Sequence, residues 1–316
     1  MNIWRERLES YQALIYLVTV LLAAICALGW GKMDWLQAWI NPALALMLYV
    51  TFLQVPLAAL GAALRHWRFI AALLVTNFVA IPLLVLGLSY ALPTDEILRF
   101  GVLLVLLAPC IDYVVTFAHM GKADARLLLA STPVLLIAQM LLLPLYLRWM
   151  LGEQAADLVQ AEPFVQAFVW LIVLPLLLAA ATQWWATRAL LGRQISHGLG
   201  MLPVPATALV LWVVVAFVVP QMGAARYVVW QVVPVYVAFA VLAPVVAWRV
   251  AKVFGLQAPA ARAVAFSGST RNALVVLPLA LAVPGAIPVL PAVIVTQTLV
   301  ELLSELVYVR LLAKLQ

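Results

Sequence analysis

Ten apolar windows of about twenty residues each follow one another along the chain, and that repetition fixes its solvent before any motif is considered. They occupy 11–29, 38–60, 69–92, 98–117, 127–147, 164–187, 199–219, 228–248, 263–284 and 292–312. A stretch of this length and character crosses the hydrocarbon of a bilayer as a helix, because a helix satisfies its own backbone where no water can. The expected class is therefore an all-α polytopic membrane protein with ten transmembrane helices, forming a single transporter-like domain over 1–316. Composition supports this, with 67% of the 316 residues hydrophobic and only 9% charged, where a soluble domain carries about a quarter charged. Connections such as PTDEILRF and PQMGAARY leave no room for a soluble domain.

The basic residues report orientation. Arg5, Arg7, Arg65, Arg68, Lys122, Arg126, Arg188, Arg193, Arg249, Lys252, Arg262, Arg310 and Lys314 fall on the side of the N-terminus and of every second loop. Lys32, Arg99, Arg148 and Arg226 fall on the other side. By the positive-inside rule both termini are expected in the cytoplasm of a cell with the chain in its inner membrane. The net charge of +6 is scattered over short loops rather than gathered in a patch, so no nucleic-acid partner is expected. The opening MNIWRERLES mixes acid and base and no small-residue cleavage pattern follows, so the first window is expected to remain as a span. No nucleotide-binding loop, GxGxxG fingerprint or HExxH motif occurs, which gives no sign of ATP-driven transport, familiar catalysis or a cofactor.

The fourth window contains LLVLLAPCIDYVVTFA, residues 103–118, with Pro109, Cys110 and Asp112 at its centre. Proline removes a backbone donor and clashes with the carbonyl one turn back, so the helix is expected to break near Ala108. The freed peptide groups then need partners, and an acid at that depth is costly unless it faces a cavity or a partner. The ninth window carries a matching interruption, the polar run Ser267, Gly268, Ser269, Thr270, Arg271 and Asn272. Asp112 and Arg271 lie 159 positions apart, close to half of 316. Ten spans divide into two fives, and five being odd, the halves enter the membrane from opposite sides. Two inverted five-helix repeats are expected, about 11–150 and 163–314, with broken helices 4 and 9 crossing near the midplane. Paired breaks of this kind mark the binding site of a secondary transporter.

Several side chains could serve such a site. In the tenth window Gln297, Glu301, Glu305 and Tyr308 recur at spacings of four, four and three and share one helical face, directed inward. Glu301 and Glu305 with Asp112 are candidates for carrying protons; for Glu305 the alternative is snorkelling or pairing with Arg310. Arg271 is the one base placed at hydrocarbon depth. One reading is that it neutralises Asp112 or Glu301 and locks the broken helices together; the other is that it attracts an anion or sets the pKa of a proton-carrying acid, and the two are compatible. Asn272 and Ser269 beside it are candidate substrate contacts. Cys110 is either a small packing residue or, if a half-helix starts there, a thiolate favoured by the free amides and able to meet a soft metal or metalloid. Asn41, Thr76 and Asn77 are expected to bond neighbouring helices, and Cys26 to pack.

The segment LLAPCIDYVVTFAHMGKADARLLLASTPVLLIAQMLLLPLYL, together with LALMLYVTFLQVPL and TLVELLSELVYV, resembles the arsenical-resistance permeases. These are the arsenite-efflux branch of the bile acid:sodium symporter superfamily. The resemblance implies a ten-helix fold with panel and core parts, crossed helices 4 and 9, and export of trivalent arsenic or antimony in exchange for protons. It places the functional cysteine at Cys110, as the metalloid contact, and the functional glutamate at Glu301. The chain departs in its ninth span, where Arg271 and Asn272 replace two asparagines and Leu274 stands where a glutamate would be. Asp112 is also unusual for that branch, and the motifs of the sodium-coupled bile-acid branch are missing, so protons rather than sodium are the expected coupling ions. The rival transporter reading is a small organic anion bound by Arg271, with Cys110 incidental. A non-transporting sensor or scaffold, and an intramembrane enzyme using Asp112 and Glu301, are the readings from other classes.

Overall fold

The computed structural model describes residues 7–8, 10–31, 33–54, 66–111, 113–152, 166, 169–221, 226–281, 283, 285 and 287–316. Asp112, the end of the second window and the start of the sixth lie outside these residues. The described chain is helical, and its only pairing of strand type is an isolated antiparallel bridge between Pro109 and Arg271. Among the described residues seven helices are long and apolar enough to cross a membrane, or eight if a bent pair counts as one span. Of the expected ten spans in an inverted repeat, the structure shows the coarser feature, a helical chain with several membrane-spanning helices.

The first and second windows form α1 (Gln12–Trp30) and α2 (Gln37–Phe52). The third forms α3 (Trp67–Val75) and α4 (Ile81–Ser89), joined through a π-helical turn at Thr76–Ala80. The fourth window is interrupted as Pro109 demands, giving α5 (Glu96–Leu106) and α6 (Val114–Met120). The fifth is the long α7 (Ala125–Leu151), whose start is capped by Asp124 accepting from the amide of Leu127. α8 (Leu174–Arg188) and the pair α9 (Leu190–Leu199) and α10 (Pro203–Val218) follow, the pair bent by 46°. α11 (Arg226–Val253) leads into the second interrupted window, α12 (Ala258–Ser269) and α13 (Ala273–Leu281), and α14 (Val289–Leu311) closes the fold.

Two groups of helices pack mainly within themselves. α1, α2, α8 and α10 form one, while α3 to α7 and α11 to α14 form the other. The largest single contact in the second group is α11 against α12, and Gly268 is what permits it. A methyl group there would lie 2.6 Å from Ala247 Cβ and 2.8 Å from Thr76 Cγ2. Small residues at such a crossing bring backbones close, which is the main source of helix association in lipid. At one end of this group Arg262 donates to the carbonyl of Leu315 through Nε (3.0 Å) and Nη2 (2.6 Å), and to that of Lys122 through Nη1 (2.9 Å). Nearby the amide of Asp124 donates to the carbonyl of Pro259 at 2.9 Å.

Overpacking at this contact gives a direct test. Gly268→Ala should lower stability by about 1–3 kcal/mol, read as a lower unfolding midpoint of the purified chain in detergent. Ala247→Gly in the same chain should restore part of the loss; no recovery would mean the two helices do not meet there.

Candidate functional site

The two breaks meet each other. The amide of Cys110 donates to the carbonyl of Thr270 at 3.1 Å, and the amide of Asn272 donates to that of Ala108 at 2.8 Å. Unpaired peptide groups buried away from water cost about 1–3 kcal/mol each, so each interruption supplies what the other lacks. In the fourth span the cause is covalent, since Pro109 has no N–H to give. In the ninth it is side-chain chemistry: Ser269 donates to the carbonyls of Ala265 (2.8 Å) and Phe266 (3.2 Å), and Thr270 to Phe266 (2.7 Å). These hydroxyls take up carbonyls of the final turn, and Thr270 adopts extended backbone at φ −106°, ψ 130°.

Arg271 follows, with none of its surface exposed. Its guanidinium donates from Nη1 to the carbonyl of Leu106 (3.3 Å), and from Nη2 to Asn77 Oδ1 (2.9 Å) and the carbonyl of Ser267 (2.6 Å). The ring of Phe239 lies 5.6 Å from its central carbon. Among the described residues its three side-chain hydrogen-bond partners are neutral oxygens. Glu301 is reached by the backbone amide of Arg271, at 2.7 Å from Oε2, and Asp112, the other acid considered for the guanidinium, lies outside the described residues. The side chain instead turns back along its own half-helix and takes the carbonyl four residues earlier, which the broken helix leaves without its usual amide.

Asn77 is presented by the π-helical turn, a local widening that frequently accompanies functional positions. Its Nδ2 donates to Ser267 Oγ (3.0 Å) and to the carbonyl of Leu73 (3.1 Å) while Oδ1 receives Arg271. It thus bonds neighbouring helices as expected, and also helps to hold the arginine. No sequence signal marks the π turn.

Glu301 is buried and takes three donors: the amide of Arg271, Nε2 of Gln297 at 2.6 Å, and the hydroxyl of Tyr113. Tyr113 stands in the quoted fourth-span motif, yet sequence reasoning passes over it, because an aromatic in an apolar window reads as packing. Its hydroxyl also lies 3.4 Å from the carbonyl of Arg271. Its ring meets Tyr16 and Phe117 edge-on, with centroids 6.4 and 6.1 Å apart.

Glu305 lies one turn further along α14, fully buried, with one oxygen receiving Thr270 Oγ1 at 2.5 Å and the other without a protein partner. It does not snorkel to an aqueous face. Asn272 is buried, and its Nδ2 has no partner among the described residues. Cys110 is buried and outside any disulfide. It does not begin a half-helix, since α6 starts only at Val114, so the dipole argument for its thiolate loses its geometry. Cys110, Ser269, Arg271, Asn272, Glu301 and Glu305 are thus gathered at or beside one crossing, while Asp112 lies outside the described residues.

Two narrow cavities flank this crossing. One is lined by Ser269, Gln297, Glu301, Ser304, Tyr236 and Tyr308 among others. The second lies between the two helix groups and is lined by Gln12, Tyr16, Thr51, Gln54, Tyr113, Thr116, Pro203, Val204 and Thr207. Tyr113 therefore has its hydroxyl on Glu301 and its body on the second cavity. Gln12, 1% exposed and with Nε2 unpartnered, lines that cavity.

A multi-pass helical chain whose two interrupted helices meet across a buried acid belongs, by architecture, among membrane transporters. The family model described as Sodium Bile acid symporter family matches residues 41–225, more than half of the chain, and the chain belongs to that family. No curated protein matches the sequence.

Neighbouring residues of the π turn should respond oppositely to truncation. Asn77→Ala strands the guanidinium and Ser267 and should cost about 1–3 kcal/mol. Thr76→Val removes a buried hydroxyl that has no partner and should be neutral or stabilising. Unfolding midpoints of the two variants, ranked in the reverse order, would contradict the hydrogen bonds given for Arg271.

Proposed function

We propose that the chain is a secondary transporter that exports trivalent arsenic or antimony in exchange for protons. The observation that carries this reading is the placement of a buried thiol, Cys110, and a buried carboxylate, Glu301, at the same crossing of broken helices. A thiol is the soft ligand that a trivalent metalloid prefers. With arsenous acid the balanced step forms one As–S bond while a hydroxyl leaves as water with the thiol proton. Glu301 is the proton carrier in this scheme. A proton arriving on it competes with the donors from Arg271, Gln297 and Tyr113, so proton binding is linked to the geometry of the break itself. Glu305 and Asp112 are secondary proton positions, and Ser269 and Asn272 line the substrate path.

The cavity between the two helix groups supports an access route, because it adjoins Tyr113 and separates elements that pack mainly within their own group. Rocking of one group on the other then opens and closes it. The same scheme runs as ten spans in two inverted repeats, with both termini cytoplasmic. A small organic anion held by Arg271 is the weaker reading, since that guanidinium is already taken up by three protein oxygens.

Efflux from a bacterial host without exporters of its own tests the proposal. The intact chain should lower cell arsenic; Cys110→Ser and Glu301→Gln should each return it to the level of the empty host, with Tyr113→Phe between the two. If the intact chain leaves arsenic and antimony unchanged, the metalloid reading fails and small organic anions become the substrates to assay.

A further inference from the structure

The oxygens around Arg271 have a common origin. Leu106 is the last residue of α5, and Ser267 belongs to the last turn of α12, so both carbonyls come from half-helix C-terminal ends. Such an end carries about half a negative charge. Asn77 Oδ1 completes the set from the π turn. Carbonyls of unwound backbone and half-helix ends are the groups with which broken-helix transporters coordinate sodium. The name of the family implies sodium as a transported ion. At this crossing the residues do not fit it: the converging oxygens already receive N–H groups at 2.6, 2.9 and 3.3 Å from a guanidinium with no exposed surface. A sodium ion there would have to displace a covalently attached cation.

We propose that Arg271 is a tethered cation filling a monovalent-cation site built from the ends of α5 and α12 and from Asn77. The charge that stabilises the crossed half-helices is part of the chain and does not travel with the substrate. Transport without sodium is the consequence, and that consequence rests on the transporter reading above; the cage itself does not.

The test is thermal unfolding of the purified full-length chain in detergent, in sodium chloride and in choline chloride at equal ionic strength. The intact chain should unfold at the same temperature in both. Arg271→Ala should unfold lower, and millimolar methylguanidinium, with choline chloride as the salt, should raise its midpoint by about 2–4 °C while leaving the intact chain unmoved. A saturable stabilisation of the intact chain by sodium over choline overturns the proposal, and that arm stands even if Arg271→Ala fails to fold. A folded Arg271→Ala that responds neither to methylguanidinium nor to sodium also overturns it. Because no substrate is used, failure here leaves metalloid efflux untouched, and failure of efflux leaves the cage untouched.

Discussion

Two backbone hydrogen bonds, Cys110 to Thr270 and Asn272 to Ala108, are what the rest of the structure depends on. A helix interrupted in hydrocarbon is untenable alone, because it exposes amides and carbonyls to a medium that offers no partners. Two interruptions brought together solve the problem for both. This reciprocity fixes where spans four and nine touch, and so places every other polar group around the crossing. Gly268, just before the second break, lets α12 close onto α11.

Electrostatics follow from the same geometry. A cation buried in a protein is penalised by several kcal/mol even after relaxation, and among the described residues the side chain of Arg271 donates to two carbonyls and one amide oxygen. Its compensation comes from oriented peptide dipoles at two helix ends and from the Asn77 amide. Glu301 is handled in the complementary way, by donors: a backbone N–H at the break ahead of α13, an amide and a phenol. The arginine and the acid are thus each held by groups that the interruption frees or by side chains beside it.

Much of this is legible in the sequence. Pro109 announces the first break, the run from Ser267 to Asn272 announces the second, and their spacing of nearly half the chain pairs them before any coordinates are seen. The four-residue spacing of Gln297, Glu301 and Glu305 places that stripe inward, where the structure has it. What escapes has physical reasons. The reach of Arg271 depends on which way a long side chain folds, and a sequence shows charges but not carbonyls, so its contacts with Leu106, Ser267 and Asn77 are not legible there. The π turn that presents Asn77 leaves no compositional trace. Tyr113 hides because its apolar ring belongs to the window while its single hydroxyl carries the contact that matters. The start of α6 at Val114 rather than Cys110 lies within the uncertainty of any helix boundary, yet it is enough to remove a dipole from beneath a thiol.

The contacts of Arg262 bear on how such a molecule can move. One guanidinium holds the carbonyl of Leu315, just past α14, and that of Lys122, between α6 and α7, while itself belonging to α12. Three chain segments far apart in sequence are riveted at one corner, and Asp124 adds a fourth fastening to Pro259. A corner braced in this way transmits torque instead of absorbing it. Displacing any one of these segments therefore strains the hydrogen bonds that tie it to the others.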